Sequence, residues 1–182
     1  MAARTVKTRT RFFLAVEGES EQSLVRWLQM LSDENGLSVH LDSYVLGGGG
    51  YKSMLENAIH EHQKRVRSKG AYRDRFLIVD GDRASTQDWP LDKLREEAAK
   101  HGFIVIVQSP NHESLLYRMT PGKELDIPSA STAQTKLRTF WPTYQKPANA
   151  YMLNSHFTLP DLARLAGVDP DLDNLLRRIG LL

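Results

Sequence analysis

Five acidic residues fall into two short stretches, Glu17-Gly18-Glu19-Ser20-Glu21 and Asp80-Gly81-Asp82. Each stretch directly follows an apolar run that reads as a strand: Phe12-Phe13-Leu14-Ala15-Val16 before the first, Phe76-Leu77-Ile78-Val79 before the second. Carboxylates at the ends of neighbouring strands repel one another. A fold tolerates them together when a cation or a proton sits between them. Ligands of open α/β sheets also bind at the carboxyl ends of the strands. The spacing therefore points to a Mg²⁺ site at the top of a small sheet. Phosphodiester hydrolysis suits such a site, because a divalent ion offsets phosphoryl charge and lowers the pKa of attacking water. Mg²⁺ takes hard oxygen ligands and keeps several waters, so two or three carboxylates suffice. Asp80 and Asp82, spaced by two, can turn toward one ion at a strand end. The competing reading of Asp80 is a turn residue, and that of Glu17 an acid favoured by a helix N-terminus.

The elements that must position these residues alternate. Residues 11–16 read as a buried strand, and from Ser20 the apolar spacing of Leu24, Trp27, Leu28 and Leu31 is helical, with Asn35-Gly36 as its stop. Residues 38–46 alternate as a half-buried strand, Gly47 to Gly50 form a loop, and 51–68 carry a second helix. A strand at 75–79, a helix at 90–100 opened by Pro90, and a continuous apolar run at 103–107 follow. Ser109-Pro110 has the form of an N-cap and first helical residue, starting a short helix through Met119. Strands alternating with helices predict an α/β fold with a mainly parallel central sheet of about four strands flanked by helices. Beyond Pro121 strand signals stop. Residues 129–140 and 157–180 read as helices, with starts at Thr158-Leu159-Pro160-Asp161 and Val168-Asp169-Pro170-Asp171. The expectation is a single domain over 1–182, with a core of about 11–120 and a helical C-terminal appendage of about 122–182.

Composition narrows the partners. The 182 residues are 41% apolar, enough for a core, and the net charge is only +2. The charge is unevenly spread, with basic stretches at 1–11 and 64–75 that suit a nucleic-acid substrate or, equally, a solvated face and a loose tail. The absence of cysteine excludes thiolate metal sites and fits a reducing compartment. The apolar stretch before Glu17 is too short for a signal peptide, and no run approaches a membrane span. A cytoplasmic protein without a membrane partner is expected.

Glu-Gly at the end of a first strand and Asp-x-Asp at the end of a later one resemble the Toprim module of topoisomerases, bacterial primases and several nucleases. Three features resemble its RloB-like subgroup in particular. The first motif has the form Glu-Gly-x-Ser-Glu through Glu21. The segment Ser109-Pro110-Asn111-His112-Glu113 precedes the apolar Leu115-Leu116-Tyr117. The tail combines Trp141-Pro142-Thr143-Tyr144-Gln145-Lys146 with a Leu-rich terminal helix. The resemblance covers roughly residues 12–182. It implies a Toprim-like fold and a Mg²⁺- or Mn²⁺-dependent nuclease in bacterial anti-phage defence of the abortive-infection kind. Glu17 would be general acid/base or shared ligand, and Asp80 and Asp82 metal ligands. One departure is that Arg83-Ala84-Ser85-Thr86 follows Asp82 where many Toprim proteins place a glycine. That departure keeps open a non-catalytic, metal-assisted nucleotide or nucleic-acid sensor partnered with an ATPase. A small nuclease for RNA maturation is a third reading.

Secondary candidates complete the expectations. Glu21, four residues after Glu17, would share a helical face with it and hold a second metal or a water, or be a solvated first-turn acid. Glu113, with His112 beside it, would complete a second metal site or be an ordinary first-turn acid. Gly47 to Gly50 with Lys52 could admit a phosphate, or be a flexible connection. Arg83, Lys136, Arg138 and Lys146 could grip DNA or RNA. Trp141 and Tyr144 would then stack on bases or, alternatively, pack inside.

Overall fold

Alternation within the apolar runs sorts side chains onto two faces of one sheet. The computed structural model describes residues 8–82 and 89–182. Its elements are β1 (Thr10–Val16), α1 (Glu19–Glu34), β2 (Val39–Val45), α2 (Tyr51–Lys69), β3 (Asp74–Asp80), α3 (Leu91–Lys100) and β4 (Phe103–Gln108), followed by α4 (His112–Arg118), α5 (Ala130–Phe140), α6 (Ala150–His156), α7 (Leu159–Ala166) and α8 (Pro170–Ile179). The four strands are parallel in the order β2-β1-β3-β4. Phe12, Leu14, Val16, Phe76, Ile78 and Ile106 face α1 and the tail helices. Phe13, Ala15, Leu77, Val79, Val105 and Val107 face α2 and α3. The result is a three-layer α/β/α arrangement, as the alternation of elements predicts.

The tail belongs to the core of one face. Leu137, Trp141, Tyr144, Leu153, Leu162 and Leu175 share a single apolar cluster with β1, β3 and α1. Trp27 of α1 donates through its indole nitrogen to Asn154 at 3.0 Å, tying the first helix to α6. Helix α6 is absent from the expectations above; its signal is Asn149, whose side chain caps Met152 N–H. Helix α4 also starts later than Ser109-Pro110 predicts. Asn111 is its N-cap, accepting from Ser114 N–H at 3.0 Å. The Pro110 carbonyl is engaged elsewhere, accepting from Asp82 N–H at 2.8 Å.

Both outer strands have their edges covered by side chains. Gln29 donates to the Val39 carbonyl at 3.3 Å and accepts from Leu41 N–H at 2.8 Å, as a neighbouring strand would. On β4, Asp171 accepts from Val107 N–H at 2.9 Å while Arg95, bonded to Asp171 at 2.7 Å, donates to the Val105 carbonyl at 3.1 Å. Such capping blocks edge-to-edge pairing. Among the described residues no helix is long and apolar enough to cross a membrane.

Candidate active site at the carboxyl end of the sheet

The strand order reverses between β1 and β3: the chain moves from β1 to β2 on one side, then to β3 on the other. This is the topological switch point, where open α/β sheets bind ligands. Glu17 leaves β1 there, and Asp80 ends β3 beside it. Backbone bonds continue the ladder past the strands. Glu17 N–H donates to the Ile78 carbonyl at 3.1 Å, and the Glu17 carbonyl accepts from Gly48 N–H at 3.3 Å. The Glu17 carboxylate in turn accepts from Asp80 N–H at 3.2 Å. Buried Tyr51, at the start of α2, donates to the Asp80 carbonyl at 2.7 Å. Gly81 is held by close approach: a Cβ there would stand 3.1 Å from Val107 Cγ1 and 3.4 Å from the Gln108 carbonyl.

A cleft of about 500 Å³ opens at this point. Glu17, Gly18, Glu19, Ser20, Glu21, Gly47, Gly48, Asp80 and Lys146 are among its walls. Glu17, Glu21 and Glu113 are all buried. Glu21 is not on a shared helical face with Glu17, because α1 begins only at Glu19. It is the N3 residue of α1, and its carboxylate reaches back to accept from the N-cap Gly18 N–H at 2.9 Å. Its burial excludes the solvated first-turn reading. Glu113 accepts from Tyr144 Oη at 3.0 Å and from Lys146 Nζ at 3.2 Å. Burial alone would raise the pKa of Glu113, but the hydrogen bonds and charge of Lys146, with Tyr144, hold it below its ordinary value. The same contacts keep Lys146 cationic against burial, helped by Asp80 and Glu21.

Asp80 lacks such partners. Its Oδ1 is buried with no hydrogen bond, and its pKa is pushed up to about 8. Burial contributes most, followed by the charges of Glu21, Glu17, Asp82 and Glu113. Two more buried atoms without a partner lie close by in the fold, Gln108 Nε2 and His112 Nε2. Gln108 is opposite Asp80 in register, and its Oε1 lies 3.1 Å from His112 Nδ1. Burial pushes the His112 pKa down, so the ring is neutral and its 3.8 Å approach to Glu21 is not an ion pair.

An orphaned carboxylate oxygen with four further carboxylates acting on it is the type of donor that a hard divalent ion takes. Among the described residues, however, no three acidic or histidine side chains converge tightly enough to hold an ion together. The local bonds give the reason. Glu17 turns to Asp80 N–H, Glu21 to Gly18 N–H, and Glu113 to Tyr144 and Lys146. Asp82 is exposed, its backbone tied to Pro110.

Lys136 and Arg138 make their contacts away from this cluster, whereas Lys146 lines the cleft. Lys136 pairs with Asp126 at 2.9 Å, and Arg138 donates to the Tyr144 carbonyl at 3.4 Å. Trp141 and Tyr144 are buried, with Trp141 stacked on His156 at 3.8 Å, so packing replaces base stacking. Lys52 is exposed in the first turn of α2. Arg83 lies outside the described residues. Sequence reasoning missed Tyr51 and Gln108, which brace the ends of β3 and α4; Gln108 had a signal as the polar end of an apolar run.

No family model matches the chain, and no curated protein matches it. It is similar to a solved structure of the C-terminal region of the OLD protein of Xanthomonas campestris pv. campestris, at 16% identity over 93% of this chain and 80% of that one. The TM-score is 0.35, too low to bear on the site. The Toprim and RloB-like resemblance rests on the motifs quoted above.

Proposed function

We infer that this chain hydrolyses nucleic-acid phosphodiesters with Mg²⁺ or Mn²⁺ at the carboxyl end of its sheet, and that it serves bacterial anti-phage defence. The observation that carries the reading is Asp80: a carboxylate oxygen buried at the topological switch point, without a partner, among Glu17, Glu21, Asp82 and Glu113. Asp80 and Asp82 would hold the ion, with Glu17 as a shared ligand or proton acceptor. When bound, the cation supplies charge neutralisation at the phosphoryl oxygens and a lowered water pKa. The protein groups have separable tasks. Glu17, fixed through its backbone by β3 and the glycine loop, would accept a proton at its carboxylate. Lys146 sets one positive charge in the cleft wall, where it favours a phosphate. Tyr144 and Lys146 hold Glu113 ionised.

Cleavage of labelled single- and double-stranded DNA and RNA in Mg²⁺ and Mn²⁺, beside Asp80→Ala, tests this reading. Cutting by the native chain and not by the variant is expected; equal cutting by both sinks it. The spread of the carboxylates among the described residues favours one second reading, a metal-assisted nucleotide or nucleic-acid sensor whose site tightens only with an ATPase partner. Metal-dependent binding without turnover would mark that case.

A further inference from the structure

The basic stretch at 64–75 does not lie beside the acidic cleft. Parallel strands send their amino ends to the opposite pole, and Arg9, Arg11, Arg73 and Arg75 stand there with Lys69 at the end of α2. A seven-residue strand separates the poles by roughly 20 Å. At this pole and toward the carboxyl end of α2, most cations point outward and most acids are tucked beneath, Glu56 on the outer face of α2 being an exposed exception. The side chains of Lys64, Arg73, Arg9 and Lys69 are 71%, 65%, 51% and 50% exposed. Their acidic partners Glu61, Asp74 and Asp42 are only 12%, 18% and 9% exposed, with Asp33 at 45%. Two of these pairs are long, 3.7 Å for Lys64–Glu61 and 3.9 Å for Arg73–Asp74. Arg67 has no ion-pair partner among the described residues. With His60, Gln63 and Lys64 it lines a polar groove of about 350 Å³ on one helical face.

We propose that this basic pole is a second, metal-independent docking surface for the phosphate backbone of a nucleic acid. The exposed large apolar side chains of the described residues are Leu125, Ile127, Phe140, Tyr151, Val168 and Leu182, all in the tail. A protein interface draws on an apolar core, and α2 offers none on this face. Outward guanidinium and ammonium groups with no large exposed apolar side chain among them match a hydrated polyanion, whose binding is driven by counterion release. A strand anchored here would have to run roughly 20 Å, about six base-pair steps, to reach Asp80. The surface therefore selects long nucleic acid over mononucleotides.

The test is fluorescence anisotropy of fluorescein-labelled DNA and RNA, single- and double-stranded, in EDTA. It uses the full chain carrying Asp80→Asn, so neither metal nor turnover enters and failure of the hydrolytic reading leaves it intact. Lys64→Glu/Arg67→Glu/Arg73→Glu, in exposed positions with weak pairs, serves as the comparison, with circular dichroism to verify its fold. Binding by the parent is expected, weakened at least tenfold in the triple variant. On single strands the log–log salt slope should fall by about 2, from three lost phosphate contacts. No binding in EDTA, or equal binding by the folded triple variant, overturns the proposal. So does competition by polyglutamate as effective as that of nucleic acid at matched charge, which would assign the surface to an acidic polypeptide.

Discussion

Asp80→Asn isolates the electrostatic strain of the site. The Asp80 carboxyl has a pKa of about 8 in the folded chain, against an ordinary value of 3.8. The native state therefore binds more protons than the unfolded state between those values, and stability falls as pH rises through that window. Between about pH 7 and pH 9 the native carboxyl passes from roughly nine-tenths protonated to roughly nine-tenths ionised while the unfolded one stays ionised, a loss of about 1.4 kcal/mol. For a chain of this size that corresponds to a fall of about 3–6 °C in Tm. Asn cannot ionise, so the variant should lose this slope and melt above the native chain at the alkaline end. Thermal denaturation in EDTA, followed by circular dichroism across the pH series, reads both. Added Mg²⁺ should restore the native chain and leave the variant unmoved. Parallel pH slopes for the two proteins would refute the reasoning, because the carboxylates would then not be coupled.

Gly81→Ala should destabilise by about 1–3 kcal/mol in urea, since its Cβ would crowd Val107 Cγ1 and the Gln108 carbonyl; an unchanged midpoint would contradict that packing. Asp171→Ala removes the acceptor of Val107 N–H and the partner of Arg95, and should cost about 1–3 kcal/mol by the same measurement. Lys146→Met leaves Glu113 with Tyr144. The loss should be modest, about 1–2 kcal/mol, because the lysine is half-exposed and screened, while nucleic-acid cleavage should fall markedly at unchanged Mg²⁺.

The strands were legible because β1, β3 and β4 are short apolar runs ended by a turn or an acid and β2 alternates polar and apolar residues, and Glu17 and Asp80 mark the ends of two of them. Their adjacency was not: it follows from the order β2-β1-β3-β4, which depends on which side of β1 the α2 connection returns. Local pattern also misplaced the start of α4, because Pro110 spends its carbonyl on Asp82, a contact distant in sequence. Trp141 and Tyr144 show the same limit. Between basic residues they read equally as a stacking surface or as packing, and only the fold decides: Trp141 stacks on His156 of α6 and Tyr144 bonds to Glu113 of α4. The basic residues of 64–75 were visible as a cluster, but only the parallel topology sends them to the opposite pole from the carboxylates.

Mn²⁺ binding to the intact protein tests the central claim most directly. Titration followed by electron paramagnetic resonance should show saturable binding in the native chain, lost in Asp80→Asn and weakened in Asp82→Asn. Absence of saturable binding, or identical binding in Asp80→Asn, would contradict a cation site at the junction of β1 and β3.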